Sequence, residues 1–138
     1  MENGEIEDSQ ITSSSGRIEA SNGRLNAFNT YWSANSADRN QWIQVCFLES
    51  VAFTAIATQG DGVIPSSSVS SYAVSYSFDG ETFQNYTVNG TREVFTGNTD
   101  SDTVVTNTLT PSITARCIRI HPQTWNSNIG MRIELYGC

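Results

Sequence analysis

The chain has 138 residues, 14 acidic and seven basic side chains, and a net charge of −7. All the basic residues are Arg and Lys is absent. That balance argues against nucleic acid and against strongly anionic lipid, both of which are held by clustered basic side chains.

The size is that of one domain, residues 1–138, able to bury roughly 68% of its unfolded surface. No apolar run approaches the ~20 residues of a membrane span. Ser, Thr, Asn and Gly outweigh the strong helix formers, so the composition reads as all-β. No signal peptide is visible at Met1. The chain is therefore either a domain of a longer secreted protein or a cytosolic protein that begins there.

In chain order, residues 2–9 are polar around the apolar anchor Ile6, and residues 10–15 predict a first short strand. Residues 14–22 predict a loop. Residues 27–41 predict a second, longer one, with Phe28, Tyr31 and Trp32 among small polar residues. Residues 42–47 alternate, placing Ile43, Val45 and Phe47 on one face. Residues 51–58 predict another strand, and the Gly-, Pro- and Ser-rich residues 60–70 a loop carrying Asp61, Val63 and Ile64. Residues 71–78 alternate again, and Asp79-Gly80 is a hairpin-turn signal. Residues 88–95 read as a turn and short strand, residues 97–103 as a third loop and residues 104–109 as a strand. Two alternating segments close the chain around a Trp125-Asn126 turn. In the first, Arg116, Ile118 and Ile120 oppose Cys117 and Arg119. In the second, Met131, Ile133 and Leu135 oppose Arg132, Glu134 and Tyr136. Many short strands with frequent turns predict a jelly-roll sandwich.

Nothing in the sequence calls for catalysis. His121 is the one histidine, and no nucleophile elbow, zinc motif or phosphate-binding Gly loop is present. No cofactor is required. Asp100 and Asp102, beside Asn98 and Thr99, are weak candidates for a calcium site. Asn85-Tyr86-Thr87 and Asn89-Gly90-Thr91 fit the N-glycosylation pattern and favour a secreted protein.

A resemblance runs through nearly the whole chain. Gly4-Glu5-Ile6, Asp8-Ser9-Gln10-Ile11-Thr12, Gly23-Arg24-Leu25-Asn26, Gln41-Trp42-Ile43-Gln44-Val45, Thr58-Gln59-Gly60 and Gly97-Asn98-Thr99 occur in that order. They are followed by Ala115-Arg116-Cys117-Ile118-Arg119-Ile120-His121-Pro122 and Arg132-Ile133-Glu134-Leu135-Tyr136-Gly137-Cys138. Together they resemble the discoidin domain, the C domain of coagulation factors V and VIII. The opening and the length of the second loop are neuropilin-like.

The resemblance implies an all-β, discoidin-type jelly roll with ligand-binding loops at one end, and a binding module rather than an enzyme. It implies a packed, structural Trp32, a core aromatic at Phe83 and a following Tyr86. It implies a terminal Cys138 whose family partner lies upstream of Met1, leaving Cys138 unpaired or intermolecular. It also makes the strands of Cys46 and Cys117 neighbours, so a cross-strand disulfide is expected between them, with two free thiols as the alternative.

Family ligands are phospholipids, glycans and proteins, so the loops must choose. Where membrane-binding members carry exposed aromatics in the first loop, this chain has Arg17 and Ile18. The second loop offers Phe28, Asn29, Tyr31, Asp38, Arg39 and Asn40, and the next loop Asp61. Planar amides and carboxylates beside an aromatic face are what a sugar needs. The expectation is an extracellular or cell-surface adhesion domain, as part of a larger chain or oligomer, that binds a glycan or glycoprotein. Membranes bearing phosphatidylserine, or an ancillary structural role in a larger secreted protein, are the alternatives.

Overall fold

A computed structural model describes residues 6–28, 30–63 and 67–137. The expectations for Gly4, Glu5, Asn29, Ile64 and Cys138 lie outside the described residues. Ten strands follow one another: β1 (Ile11–Ser13), β2 (Trp32–Ser33), β3 (Ile43–Gln59), β4 (Ser68–Ser77), β5 (Gln84–Asn85), β6 (Thr87–Val88), β7 (Thr91–Arg92), β8 (Val94–Thr96), β9 (Val105–Asn126) and β10 (Gly130–Gly137). The described helical structure is limited to two single 3₁₀ turns, Asp8–Gln10 and Ala20–Asn22.

The architecture is a β-sandwich built on one bent ribbon. Ile43–Cys46 of β3 pairs with Cys117–Ile120 of β9, and Val51–Thr58 pairs with Val105–Ala115. The register slips between Cys46 and Val51 and again between Phe53 and Ala55. Slips of this kind bend long strands and let them pass from one sheet to the other. One half of the ribbon continues into β1 on one side and β4 on the other, with β5 and β8 beyond β4. The other half continues into β10 and β2. Between the layers lie Ile43, Val45, Phe53, Ile56, Tyr72, Val74, Ile113, Ile118, Ile120, Met131 and Ile133, all buried.

The ribbon's two ends are brought together by Asn98, which is wholly buried. Its Nδ2 donates to the Thr58 carbonyl at 3.0 Å, its Oδ1 accepts from Thr58 Oγ1 at 2.7 Å, and its backbone N–H donates to the Val69 carbonyl at 2.9 Å. Thr58 pairs with Val105 and Val69 with Trp125, so the first and last parts of β9 converge there.

Four sequence expectations need correction. The separate strands at 42–47 and 51–58 are one, and so are those at 104–109 and 115–122. Pro111 did not end the strand because it falls in the slip between Thr108 and Ile113, where no ladder N–H is needed. The Trp125-Asn126 turn lies later, since β9 runs through Asn126 and the chain reverses at Ser127, with φ 64°. The core aromatic is Tyr86, not Phe83. Tyr86 is buried and donates its hydroxyl to the Pro111 carbonyl at 2.7 Å, while Phe83 lies half-buried against Arg119. Trp32 is fully buried as expected, its indole N–H on the Ser15 carbonyl at 2.9 Å.

Cys46 and Cys117 are direct cross-strand partners, their Cα atoms 4.1 Å apart, and they are joined by a disulfide. Asp79-Gly80 makes the predicted turn. The Asp79 carboxylate accepts from the N–H groups of Glu81 and Thr82, both at 2.8 Å, and Gly80 takes φ 82°.

Candidate functional site

The described parts of four loops, residues 23–28 with 30–31, 60–63 with 67, 97–104 and 127–130, gather where the ribbon's ends meet, and Arg132 holds three of them. The alternation of β10 predicts an outward Arg132, yet it is buried. Its Nε donates to the Gly60 carbonyl at 2.9 Å, Nη1 to Ala27 at 2.9 Å, and Nη2 to Ser101 at 2.8 Å and to the Asp102 carboxylate at 3.1 Å. A guanidinium suits this place because its donors are fixed in a planar fork. Gly62 lies over the guanidinium. It takes φ 77°, and a Cβ there would come within 2.7 Å of Nη2.

Gln59 ties the same loops a second time. Its Oε1 accepts from the Asn26 N–H at 2.7 Å and its Nε2 donates to the Asp102 carbonyl at 2.8 Å. Sequence reasoning missed Arg132, Gln59 and Asn98 as loop anchors. All three stand in the segments quoted for the family resemblance, which was the available signal.

Of the candidate contacts, Phe28 stands out at 88% exposure, one residue beyond the carbonyl that Arg132 holds. Tyr31 is half-buried, and Tyr31, Asp61 and Ser67 all border Gly130. A Cβ on Gly130 would lie 3.3 Å from Asp61 Cβ and 3.4 Å from Tyr31 Cδ2. Asp61 is not a surface group. It is only 1% exposed, and its Oδ1 accepts from the Val63 N–H at 2.8 Å. Its carboxylate shapes the loop in this conformation.

Ser33 connects the first loop to this group. It pairs with Gly130, its carbonyl accepts from the Arg17 N–H at 2.8 Å, and it bridges to the half-buried Ile18. Arg17 itself is exposed. Asp38, Arg39 and Asn40 form a separate rim. Asp38 accepts from the Asn40 N–H and from Gln41 Nε2, both at 2.9 Å, and Arg39 Nε donates to the Gln123 carbonyl at 3.0 Å.

Asp100 folds the third loop, accepting from the N–H groups of Asp102 and Thr103 and from the Thr103 hydroxyl. The Thr103 side chain and these amides hold its carboxyl below the usual range. Asp102 bonds Arg132. Among the described residues, no three His, Cys, Asp or Glu side chains are grouped as metal ligands.

His121 lies away from the loops, on the outer face of the sheet. Its Nε2 is 2.7 Å from Ser75 Oγ, and burial, followed by the charges of Arg92 and Arg119, pushes it down to about 4.

The F5/8 type C domain model matches residues 9–135. The chain belongs to the F5/8 type C, or discoidin, family. It is 37% identical to human coagulation factor V, over all of this chain but only 7% of that protein. Wild-type discoidin II of Dictyostelium discoideum superposes with a TM-score of 0.84 and 33% identity, covering 92% of this chain and 53% of that one. The family 32 carbohydrate-binding module of C. perfringens NanJ, solved in complex with galactose, shares the fold with a TM-score of 0.67 and 18% identity, covering 96% of each chain. The chain thus spans a small part of factor V and about half of discoidin II. F5/8 type C domains are binding modules. The convergence of loops on Arg132 gives this one a rigid end on which to present side chains.

Proposed function

We propose that residues 1–138 form one extracellular recognition domain that binds a glycan or glycoprotein through its loop end. The observation that carries the reading is the Phe28 ring, 88% exposed and set beside a backbone carbonyl fixed by Arg132. A flat apolar face next to a backbone position that is itself fixed, with hydrogen-bonding groups on the neighbouring loop residues, suits a sugar ring. Tyr31, Arg17, Asp38, Arg39 and Asn40 are the proposed polar contributors. The parent protein and its partner are part of this proposal, supported by the long relatives in which such domains occur.

Membrane binding is the second reading, favoured by Phe28 and the half-exposed Val63 as apolar loop tips. Charge weighs against it. Asp100 and Asp102 stand in the third loop, Arg132 is buried and spent on backbone carbonyls, and Asp38 lies beside Arg39 on the separate rim, which is no basic cluster. The test is a glycan array with the multivalent domain, in calcium and then in chelator. Binding lost in Phe28→Ala, with unchanged folding, supports the proposal. A blank array with sedimentation on phosphatidylserine vesicles replaces it with the second reading.

A further inference from the structure

The two Asn-x-Thr sequons occupy unlike places. Asn89 takes φ 54° and Gly90 φ 78° between β6 and β7, an Asn-Gly turn at a hairpin tip. No aromatic residue stands two positions before it, where Thr87 is found. Asn85 is exposed on β5, opposite Ser75 of β4.

Phe83 stands two positions before Asn85 at the entry to β5, and side chains two apart on an extended chain share a face. Ser75 pairs with Asn85 on one side and with Arg119 on the other, so Asn85 and Arg119 lie in one cross-strand row. The guanidinium carbon of Arg119 is 3.7 Å from the Phe83 ring centre and 4.0 Å from that of Trp42. Arg119 Nε is fixed on Gln44 Oε1 at 2.6 Å. Phe83 is therefore held in place from below and remains only partly buried, two residues from the exposed Asn85.

We infer that Asn85 is an N-glycosylation site whose first sugar ring packs on the exposed part of Phe83, whereas a sugar on Asn89 would stand in solvent. The inference rests on the extracellular reading above for access to the glycosylation machinery. It is independent of what the loop end binds.

The donor is an oligosaccharide linked through pyrophosphate to a polyprenyl lipid. The Asn85 amide nitrogen bonds to the anomeric carbon as the bond from that carbon to pyrophosphate oxygen breaks. The lipid pyrophosphate leaves with the electron pair and the amide loses a proton, with no net redox change. The transfer precedes folding, so the edge-strand position of Asn85 is no obstacle. The finished glycan then covers an exposed strand edge, a common protection against edge-to-edge pairing.

The test compares the chain secreted from animal cells with the same chain made in a bacterial periplasm, which forms disulfides but attaches no such glycan. Glycopeptide mass mapping reads occupancy, and thermal unfolding reads the contact. The expected result is an occupied Asn85 and a Tm higher by about 3 °C in the secreted protein. That difference persists in Asn89→Gln, vanishes in Asn85→Gln, and vanishes in Phe83→Leu although Asn85 stays occupied. An unmodified Asn85, or a Tm gain that follows Asn89 or survives Phe83→Leu, overturns the inference. Neither result bears on the glycan array or vesicle assays, so the two proposals fail separately.

Discussion

Arg132 Nε lies 2.9 Å from the Gly60 carbonyl oxygen, across 72 residues of sequence. The same side chain also bonds the carbonyls of Ala27 and Ser101, so one guanidinium fixes three loops. Replacing it with Met leaves three carbonyls short of a donor. The expected cost is about 3 kcal/mol, since unmet buried polar groups are costly. Arg132→Lys recovers only part, because an ammonium cannot reproduce the fork. Urea denaturation of the three proteins checks this, and equal stabilities would sink it.

Phe28→Ala has the opposite profile. The ring is 88% exposed, so stability should change by no more than about 0.5 kcal/mol. Affinity for a sugar or vesicle ligand should fall roughly five- to tenfold. A Tm measurement beside a binding titration separates the two effects.

The disulfide predicts a thiol count and a stability change. In a Cys138→Ser variant, no free thiol should appear under denaturing conditions without reductant, and two should appear with it. Cys46 and Cys117 are 71 positions apart, so losing the bond should cost about 4 kcal/mol by loop-closure entropy. Thermal scans with and without reductant read this directly.

His121 makes the domain acid-sensitive. Its folded ring titrates at about 4, mainly through burial, and the unfolded histidine near 6.5. Between those values the unfolded chain holds a proton that the native protein lacks. Stability is therefore full above pH 6.5 and falls as the pH drops towards 4, by at most about 3 kcal/mol. Asp79, held at about 2 by the Thr82 and Glu81 amides and the Ser77 hydroxyl, adds a further loss below 3.8. Denaturation midpoints at pH 7.5, 5.5 and 4 check the slope, and His121→Gln should flatten its upper part.

Much of the fold was legible because alternation is local. Ile43 and Val45, or Ile118 and Ile120, declare a half-buried strand without reference to anything distant. The Asp79-Gly80 turn and the pairing of Cys46 with Cys117 were legible too, the second through the resemblance. What alternation cannot see is a polar side chain drawn inward by remote backbone. Arg132 occupies an outward position of β10 but finds its partners in loops far away in sequence. Asp61 likewise reads as a loop-surface carboxylate, yet it turns in beside Gly130. The bends in β3 and β9 escaped for a related reason. A slip in register is a property of two strands, and residues 47–50 or 109–112 read singly look like ordinary breaks.

The folded-over β3–β9 ribbon has a kinetic consequence. Ile43 waits for Ile120, Val45 for Ile118 and Trp32 for Met131 before either layer has its neighbours. Little of the sandwich can be assembled from contacts made early in the chain. A ribosome that has released only the first hundred residues holds a polymer with β3 open on most of its length. Contacts this distant in sequence place the domain among slow folders, in the millisecond-to-second range. Its vulnerable moment is synthesis rather than service, when most of a 17-residue strand, beyond the part that β1 can pair, is exposed to whatever is nearby.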